Sequence, residues 1–231
     1  MNEISAEHMK SMDKYTIEKI GIPSIVLMEN AAKGVVENMN LNFKNQVFLC
    51  SVGNNGADGL ASARIFSNLS HNKKYDVYIF IVGNEEKGSI EFKTQLNILK
   101  NLDTKIVNLT ENNFDTFKDI INKDCSVIDA LFGIGLKRDI GGVYKRAIEI
   151  VNEKAGFILS VDVPSGIDAN TGEVRGIAVK SHRTVTFHKI KTGIKNLKDV
   201  RTVDIGIPLK VDKLILEGED WHPAGRSTRK P

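Results

Sequence analysis

The sequence predicts a Rossmann-like three-layer α/β sandwich, in which helices cover both faces of a mostly parallel central sheet. Short apolar runs alternate with stretches of helical hydrophobic spacing along most of the chain, an order typical of parallel sheets. Turns rich in glycine or bearing aspartate follow three of these runs, as they do at the carboxyl ends of such strands. With 231 residues, 41% of them hydrophobic, the chain is long enough to bury the core of one such domain.

The elements alternate as this fold requires. The N-terminal part predicts a helical pair that packs against the sheet domain, with Pro23 near the start of the second helix. Residues 1–217 are expected to form one domain, and the polar, aperiodic residues 218–231 a disordered tail that is partly foreign to the protein. Strands are predicted over 47–50, 77–82, 105–107, 127–128, 157–161, 184–187 and 200–205, and helices around 28–39, 61–69, 92–99, 114–121 and 143–151.

Composition narrows the function classes. The 32 Lys and Arg residues against 29 Asp and Glu leave a net charge of +3, without the clustered positive charge of a nucleic-acid binder. No apolar run approaches the roughly 20 residues that span a bilayer, and the N-terminus lacks the apolar core of a signal peptide. Two cysteines exclude a disulfide framework. We therefore expect a cytoplasmic protein that binds neither nucleic acid nor a membrane.

Three motifs carry the functional signal, and each follows a predicted strand. They are SVGNNGADG (51–59), DALFGIG (129–135) and DVPSGID (162–168). The carboxyl ends of parallel strands meet at one edge of a sheet, where ligands bind. We therefore expect the three motifs to converge on one site although they lie far apart in sequence.

The first motif predicts a phosphate-binding turn. Gly53, Gly56 and Gly59 are expected to permit positive φ angles and a close approach of the ligand, and the following helix offers free N–H groups to an anion. The glycines recur every third residue, which differs from the G-x-G-x-x-G spacing of dinucleotide-dependent dehydrogenases. The alternative is a simple glycine turn with an aspartate that caps the helix. The turn also carries polar side chains that hydride transfer does not need, namely Asn54, Asn55 and Asp58.

The other two motifs place carboxylates at neighbouring strand ends. Asp129 and Asp162 could face one site, with neutral oxygens from Ser165 and Asn55 nearby. An all-oxygen cluster with few charges suits a hard cation, and no His or Cys spacing indicates zinc. The alternative is that each aspartate only caps the turn that follows it.

Taken together, these segments resemble the NAD(P)H-hydrate epimerase family. The matching stretches, in the family's order, are GIPSIVLMENAA (21–32), GNNGADGLASAR (53–64), DALFGIGL (129–136), VDVPSGIDANTGEVRG (161–176), TVTFHKIKTG (184–193) and VDIGIP (203–208). The chain departs from the usual NNGGD and GTGL, since Ala57 replaces a glycine and Ile134 lacks a hydroxyl. The resemblance covers an epimerase domain without a fused dehydratase domain.

The resemblance implies an enzyme of cofactor repair. It would interconvert the R and S epimers of hydrated NADH and NADPH (NADHX and NADPHX), so that a dehydratase specific for the S epimer can restore the cofactor. It also implies a homodimer, and one potassium ion per subunit held by Asn55, Asp129 and Ser165. The residues expected to contact the substrate are Glu29, Asn30, Asn54, Asn55, Gly56, Ala57, Asp58, Gly133, Ile134, Gly135, Leu136, Lys137, Arg138, Asp139, Asp162 and Lys191.

The implied reaction requires a group that exchanges protons. The hydroxyl next to the ring nitrogen leaves, an iminium forms, and water returns to the opposite face; ring opening and closure is a second route. We expect Asp129 to be the acid–base group, with Asp162 binding or assisting. The alternatives are a dehydrogenase, a non-catalytic nucleotide- or partner-binding module of the same fold, and an inactive half of a bifunctional protein.

Overall fold

A parallel sheet lies at the centre of the protein. The computed structural model describes residues 3–69, 74–102 and 104–217, so the predicted tail 218–231 lies outside the described residues. The strands are β1 (Glu3–Ile4), β2 (Asn45–Ser51), β3 (Asp76–Val82), β4 (Ile106–Asn108), β5 (Cys125–Ala130), β6 (Phe157–Val161), β7 (Arg183–Phe187), β8 (Ile190–Lys191) and β9 (Val200–Val203). The α-helices are α1 (Ala6–Tyr15), α2 (Ser24–Glu37), α3 (Asn54–Leu69), α4 (Ile90–Lys100), α5 (Phe114–Ile120), α6 (Gly142–Lys154) and α7 (Leu209–Leu216).

The strand order of the central sheet is β4-β3-β2-β5-β6-β7-β9, and all neighbouring strands are parallel. The chain first builds outward from β2 to β3 and β4, then returns to the other side of β2 with β5 and β6. The order therefore reverses between β2 and β5, the place where open α/β sheets bind ligands. The predicted three-layer α/β class is confirmed.

Apolar side chains cover the sheet on both faces, so its central strands read as continuous apolar runs. Along β2, Phe48 packs into the core beneath α2, α3 and α4, whereas Val47 and Leu49 pack into the core beneath α5 and α6. No helix in the described part of the chain is long and apolar enough to cross a bilayer.

Elements at the two ends of the domain were not predicted. β1 and β8 form a separate parallel pair with Ile4 opposite Lys191, and α7 follows Pro208. The β1–β8 pair holds α1 near the carboxyl ends of the central strands, and Ser5 caps α1 by accepting a hydrogen bond from the backbone N–H of His8.

The positive φ angles expected at the glycines of the first motif were wrong. α3 begins at Asn54, so Gly56 and Gly59 lie in its first turns, and neither these two nor Gly53 has a positive φ. A Cβ at Gly56 would lie 1.7 Å from the carbonyl oxygen of Ser51, and one at Gly59 2.4 Å from the side chain of residue 130. Gly56 and Gly59 are needed because α3 packs closely on β2 and β5.

Candidate functional site

A cavity of about 560 Å³ opens at the carboxyl edge of the sheet, and we call it the edge cavity. Its wall includes residues 51–55 and Asp58 after β2, residues 131–136 after β5, and Asp162 after β6. The three motifs therefore converge on one cavity at the point where the strand order reverses. α1 adds a further side of the wall through Lys10 and Asp13.

Asp162 and Lys191 form an ion pair at the bottom of this region. Asp162 follows β6 directly and has a φ of 66°, a left-handed backbone conformation. The Lys191 ammonium, 1% exposed, donates to Asp162 Oδ1 at 2.5 Å, to Thr186 Oγ1 at 3.1 Å and to the carbonyl oxygen of Phe187 at 2.8 Å. All three of its donors are used within the protein, so Lys191 holds Asp162 in place and has no hydrogen left for a ligand.

Asp129 is fully buried beneath the edge cavity and is not part of its wall. Its Oδ2 accepts from Ser160 Oγ at 2.8 Å and from the backbone N–H of Ser165 at 2.9 Å. Its Oδ1 accepts from Ser165 Oγ at 2.5 Å and from the backbone N–H of Leu131 at 3.3 Å. Burial raises the pKa of Asp129, while the donors at Ser165, Ser160 and Leu131 oppose that rise.

The three expected potassium ligands fit a monovalent cation chemically. Asp129 brings one carboxylate, Ser165 a hydroxyl that lies 3.3 Å from the carbonyl oxygen of Phe132, and Asn55 an amide. A Cβ at Gly133 would lie 3.1 Å from Asn55 Oδ1, so Asn55 reaches the turn after β5. Asn55 Oδ1 is the atom that could hold a cation, whereas Asn55 Nδ2, buried without a partner among the described residues, is a donor that can serve an acceptor on a bound molecule. Oxygen donors with a single charge suit potassium better than a transition metal.

Two further aspartates line the edge cavity, and neither side chain has a hydrogen-bond partner in the described part of the chain. Asp58 lies in the first turns of α3, and Asp13 lies near the end of α1. Desolvation, followed by the charges of Asp162 and Asp13, raises the pKa of Asp58 well above its usual range. Desolvation and the charge of Asp162 raise the pKa of Asp13 to about 6, against the opposing effect of Lys191.

The sequence did not identify Asp13 as a site residue. α1 shows apolar residues at Met9 and Met12, which are buried, and Asp13 follows as an ordinary polar residue of an amphipathic helix. Its role depends on the packing of α1 over the strand ends, which no local pattern reports.

The other predicted substrate contacts divide into two groups. Glu29 is paired with Arg64 and Asn30 Nδ2 donates to the carbonyl oxygen of Ile205 at 2.9 Å, so both are engaged within the protein. The wall of the edge cavity contains Asn54, Asn55, Asp58, Gly133, Ile134, Gly135, Leu136 and Asp162. Outside that wall lie Glu29, Asn30, Gly56, Ala57, Lys137, Arg138, Asp139 and Lys191.

Comparison with known proteins identifies the family. A family model described as "YjeF-related protein N-terminus" matches residues 24–193. The chain belongs to this family.

Its relatives in the YjeF-related family match it along nearly their whole length. The NAD(P)H-hydrate epimerase of Oenococcus oeni is 36% identical over 214 residues, which cover 88% of this chain and 96% of that protein. The NAD(P)H-hydrate epimerase of Anaerococcus prevotii is 37% identical over 219 residues, which cover 92% and 99%. The crystal structure of yeast YNL200c has a TM-score of 0.78 and 20% identity, covering 99% of this chain and 98% of that one, so it shows the same fold. The resemblance inferred from the motifs is confirmed.

Proposed function

We propose that this chain is an NAD(P)H-hydrate epimerase, which interconverts the R and S epimers of NADHX and NADPHX. The observation that carries the proposal is the edge cavity, whose wall combines a helix N-terminus with two carboxyl groups that have raised pKa values and no hydrogen-bond partner among residues 3–69, 74–102 and 104–217. Proteins 36% and 37% identical over nearly their whole length bear that name. Neither alternative without catalysis accounts for unpaired carboxyl groups in the cavity wall, which cost stability and suit proton transfer.

Two parts of the substrate, its diphosphate and its hydrated ring, have complementary groups in the wall of the edge cavity. The backbone N–H groups of Asn54 and Asn55, at the start of α3 in the cavity wall, have no acceptor in the part of the chain that the structure describes and suit the diphosphate. The apolar side chains of Leu27, Met28 and Ile134 offer contact area for a flat ring.

Epimerisation of the hydrated ring needs proton transfer and no redox partner. An acid first protonates the hydroxyl. The lone pair of the ring nitrogen then expels it as water, and an iminium forms. Water then adds to the opposite face and returns a proton to the protein, so the protonation state of the enzyme is restored after each turnover. A carboxyl group that titrates near neutrality can serve in both directions.

We propose also that a potassium ion is held by Asn55, Asp129 and Ser165. When bound, the ion would supply a positive charge that balances the buried carboxylate and fixes the turns around it. The chain's own contribution is to hold Asp129 with four donors, so that this carboxylate stays in one orientation below the cavity.

The proposed biological setting is the cytoplasm, with a dehydratase specific for the S epimer as functional partner. The test of the proposal is a coupled assay with a mixture of R and S NADHX. With the dehydratase alone, NADH recovery stops when the S epimer is used up, apart from slow spontaneous exchange. Adding a catalytic amount of this chain should bring recovery rapidly to completion. If the residual R epimer persists at the spontaneous rate, the chain is not an epimerase.

A further inference from the structure

Three aspartates line the edge cavity, and within the described part of the chain only Asp162 of the three is ion-paired. Asp162 accepts from the buried ammonium of Lys191 at 2.5 Å. Asp13 and Asp58 also line the cavity, and within the described residues neither carboxyl group accepts or donates a hydrogen bond to another side chain or to the backbone. These two groups are therefore available to a bound molecule.

The surroundings of Asp13 are dominated by negative charge. The charged groups that line the cavity or act on its carboxyl groups come from five elements, and only Lys10 lies on the same helix as Asp13. They are Lys10 on α1, Asp58 in α3, Glu91 in α4, Asp162 after β6 and Lys191 on β8. Glu91 accepts from Ser24 Oγ at 2.6 Å, so this acid has a partner that Asp13 lacks.

Asp129 has the opposite environment. It is fully buried, has four donors, and does not line the cavity. A group that is buried beneath the cavity and does not reach its wall is poorly placed to exchange a proton with a ring bound in the cavity. Asp13 faces the cavity and keeps its oxygens free, so geometry favours Asp13 for proton exchange and Asp129 for holding the turns beneath it.

We propose that Asp13 is a catalytic residue of this enzyme, the group that exchanges a proton with the substrate's hydroxyl. This inference rests on the proposed epimerase function and names the residue that performs it. Protonated Asp13 gives its proton to the hydroxyl, the C–O bond breaks, and the ring nitrogen's electron pair forms the iminium. Water adds to the other face, the C–O bond re-forms, and the added water's proton returns to the Asp13 carboxylate.

The titration of Asp13 agrees with this role. Desolvation and the Asp162 charge bring its pKa to about 6, so both the acid and the carboxylate are populated near neutral pH. Desolvation and the charges of Asp162 and Asp13 raise the pKa of Asp58 well above its usual range, which favours its protonated form.

The test compares Asp13→Asn with a matched control. Glu18→Gln removes the same charge from an exposed position in the helical turn that directly follows α1. The activity of this control should match that of the wild type. Rates of R–S exchange are measured at saturating NADHX and saturating potassium between pH 5 and 8, together with NADPH affinity and Tm. We expect Asp13→Asn to lower kcat about 100- to 10,000-fold, with NADPH affinity within about threefold of wild type, and to lose the limb of the kcat/KM profile near pH 6.

Asp13→Ala provides a second route if the asparagine variant does not fold. Formate fits the space left by the missing carboxyl group, so added formate should restore at least about a tenth of the wild-type rate. Three results would each overturn the assignment. The first is a folded alanine variant that formate does not rescue, and the second is a kcat for Asp13→Asn within threefold of wild type. The third is a loss of NADPH affinity as large as the loss of activity. The wild-type rate tests the proposed epimerase function separately. If wild type and Asp13→Asn are both active, the epimerase function stands and only the assignment of Asp13 fails.

Discussion

Replacement of Asp129 by asparagine perturbs one carboxylate that accepts four hydrogen bonds. If the new NH₂ takes the place of Oδ2, it faces the backbone N–H of Ser165, which loses an acceptor at 2.9 Å. If it takes the place of Oδ1, it faces the backbone N–H of Leu131, while Ser165 Oγ can turn and accept. Either orientation leaves one buried donor without an acceptor, which costs about 1–3 kcal/mol.

The assay is urea unfolding of wild type and Asp129→Asn in potassium-free buffer at pH 7. Asp124→Asn, an exposed aspartate just before the start of β5, is the matched control and should leave stability unchanged. We expect Asp129→Asn to be less stable by about 1–3 kcal/mol with the same denaturant slope. A variant as stable as wild type would contradict this expectation, because the donor left without an acceptor would then cost no more than the desolvation of the carboxylate that the substitution removes.

The same variant tests the proposed potassium site. Ligand at a hundredfold excess over its Kd stabilises the wild type by about 2.7 kcal/mol, and sodium should do less. Asp129→Asn should lose most of this gain, because the only charged ligand has become neutral. Equal stabilisation of variant and wild type by potassium would place the ion elsewhere. Residual epimerisation that rises towards the wild-type rate at high potassium would assign Asp129 to ion binding, whereas no recovery would support the acid–base role predicted from the sequence.

Four further predictions concern other parts of the molecule. Gly56→Ala should lower the free energy of unfolding by at least about 2 kcal/mol in urea, since its Cβ would lie 1.7 Å from the carbonyl oxygen of Ser51. Lys191→Met should cost about 3–5 kcal/mol by leaving Asp162 unpaired, and adding Asp162→Asn should recover part of the loss. Folding raises the pKa of Asp13 from 3.8 to about 6, so the contribution of this group to stability is full below about pH 4 and is lost as the pH rises through 6. The free energy of unfolding of Asp13→Asn should therefore exceed that of wild type by up to about 3 kcal/mol at pH 7 and equal it at pH 4. The homodimer implied by the resemblance should sediment as twice the 25.6 kDa chain, and a monomer at micromolar concentration would contradict it.

The sequence predicted the fold well because its signals are local. The apolar runs at 47–50, 77–82 and 157–161 each lie within a strand, and the motif after each central strand lies at one edge of the sheet. The positive φ angles expected in the first motif were wrong, because a glycine in sequence does not reveal whether it serves a turn or, as at Gly56, a tight helix–strand contact.

The site was harder to predict than the fold because its chemistry depends on long-range packing. Asp129 and Asp13 have the same side chain, and only the tertiary structure gives one four donors and the other none. The partnership of Asp162 with Lys191 likewise depends on the β1–β8 pair and the chain reversal after β7, which have no short-range signature.

Epimerase activity is measured by following pure S-NADHX at neutral pH with a catalytic amount of the wild-type chain and separating the epimers by chromatography. We expect rapid formation of R-NADHX to the same equilibrium ratio from either starting epimer, with no net oxidation or reduction of the nicotinamide. Exchange at the spontaneous rate from both sides, by folded protein in saturating potassium, would contradict the proposed epimerase function.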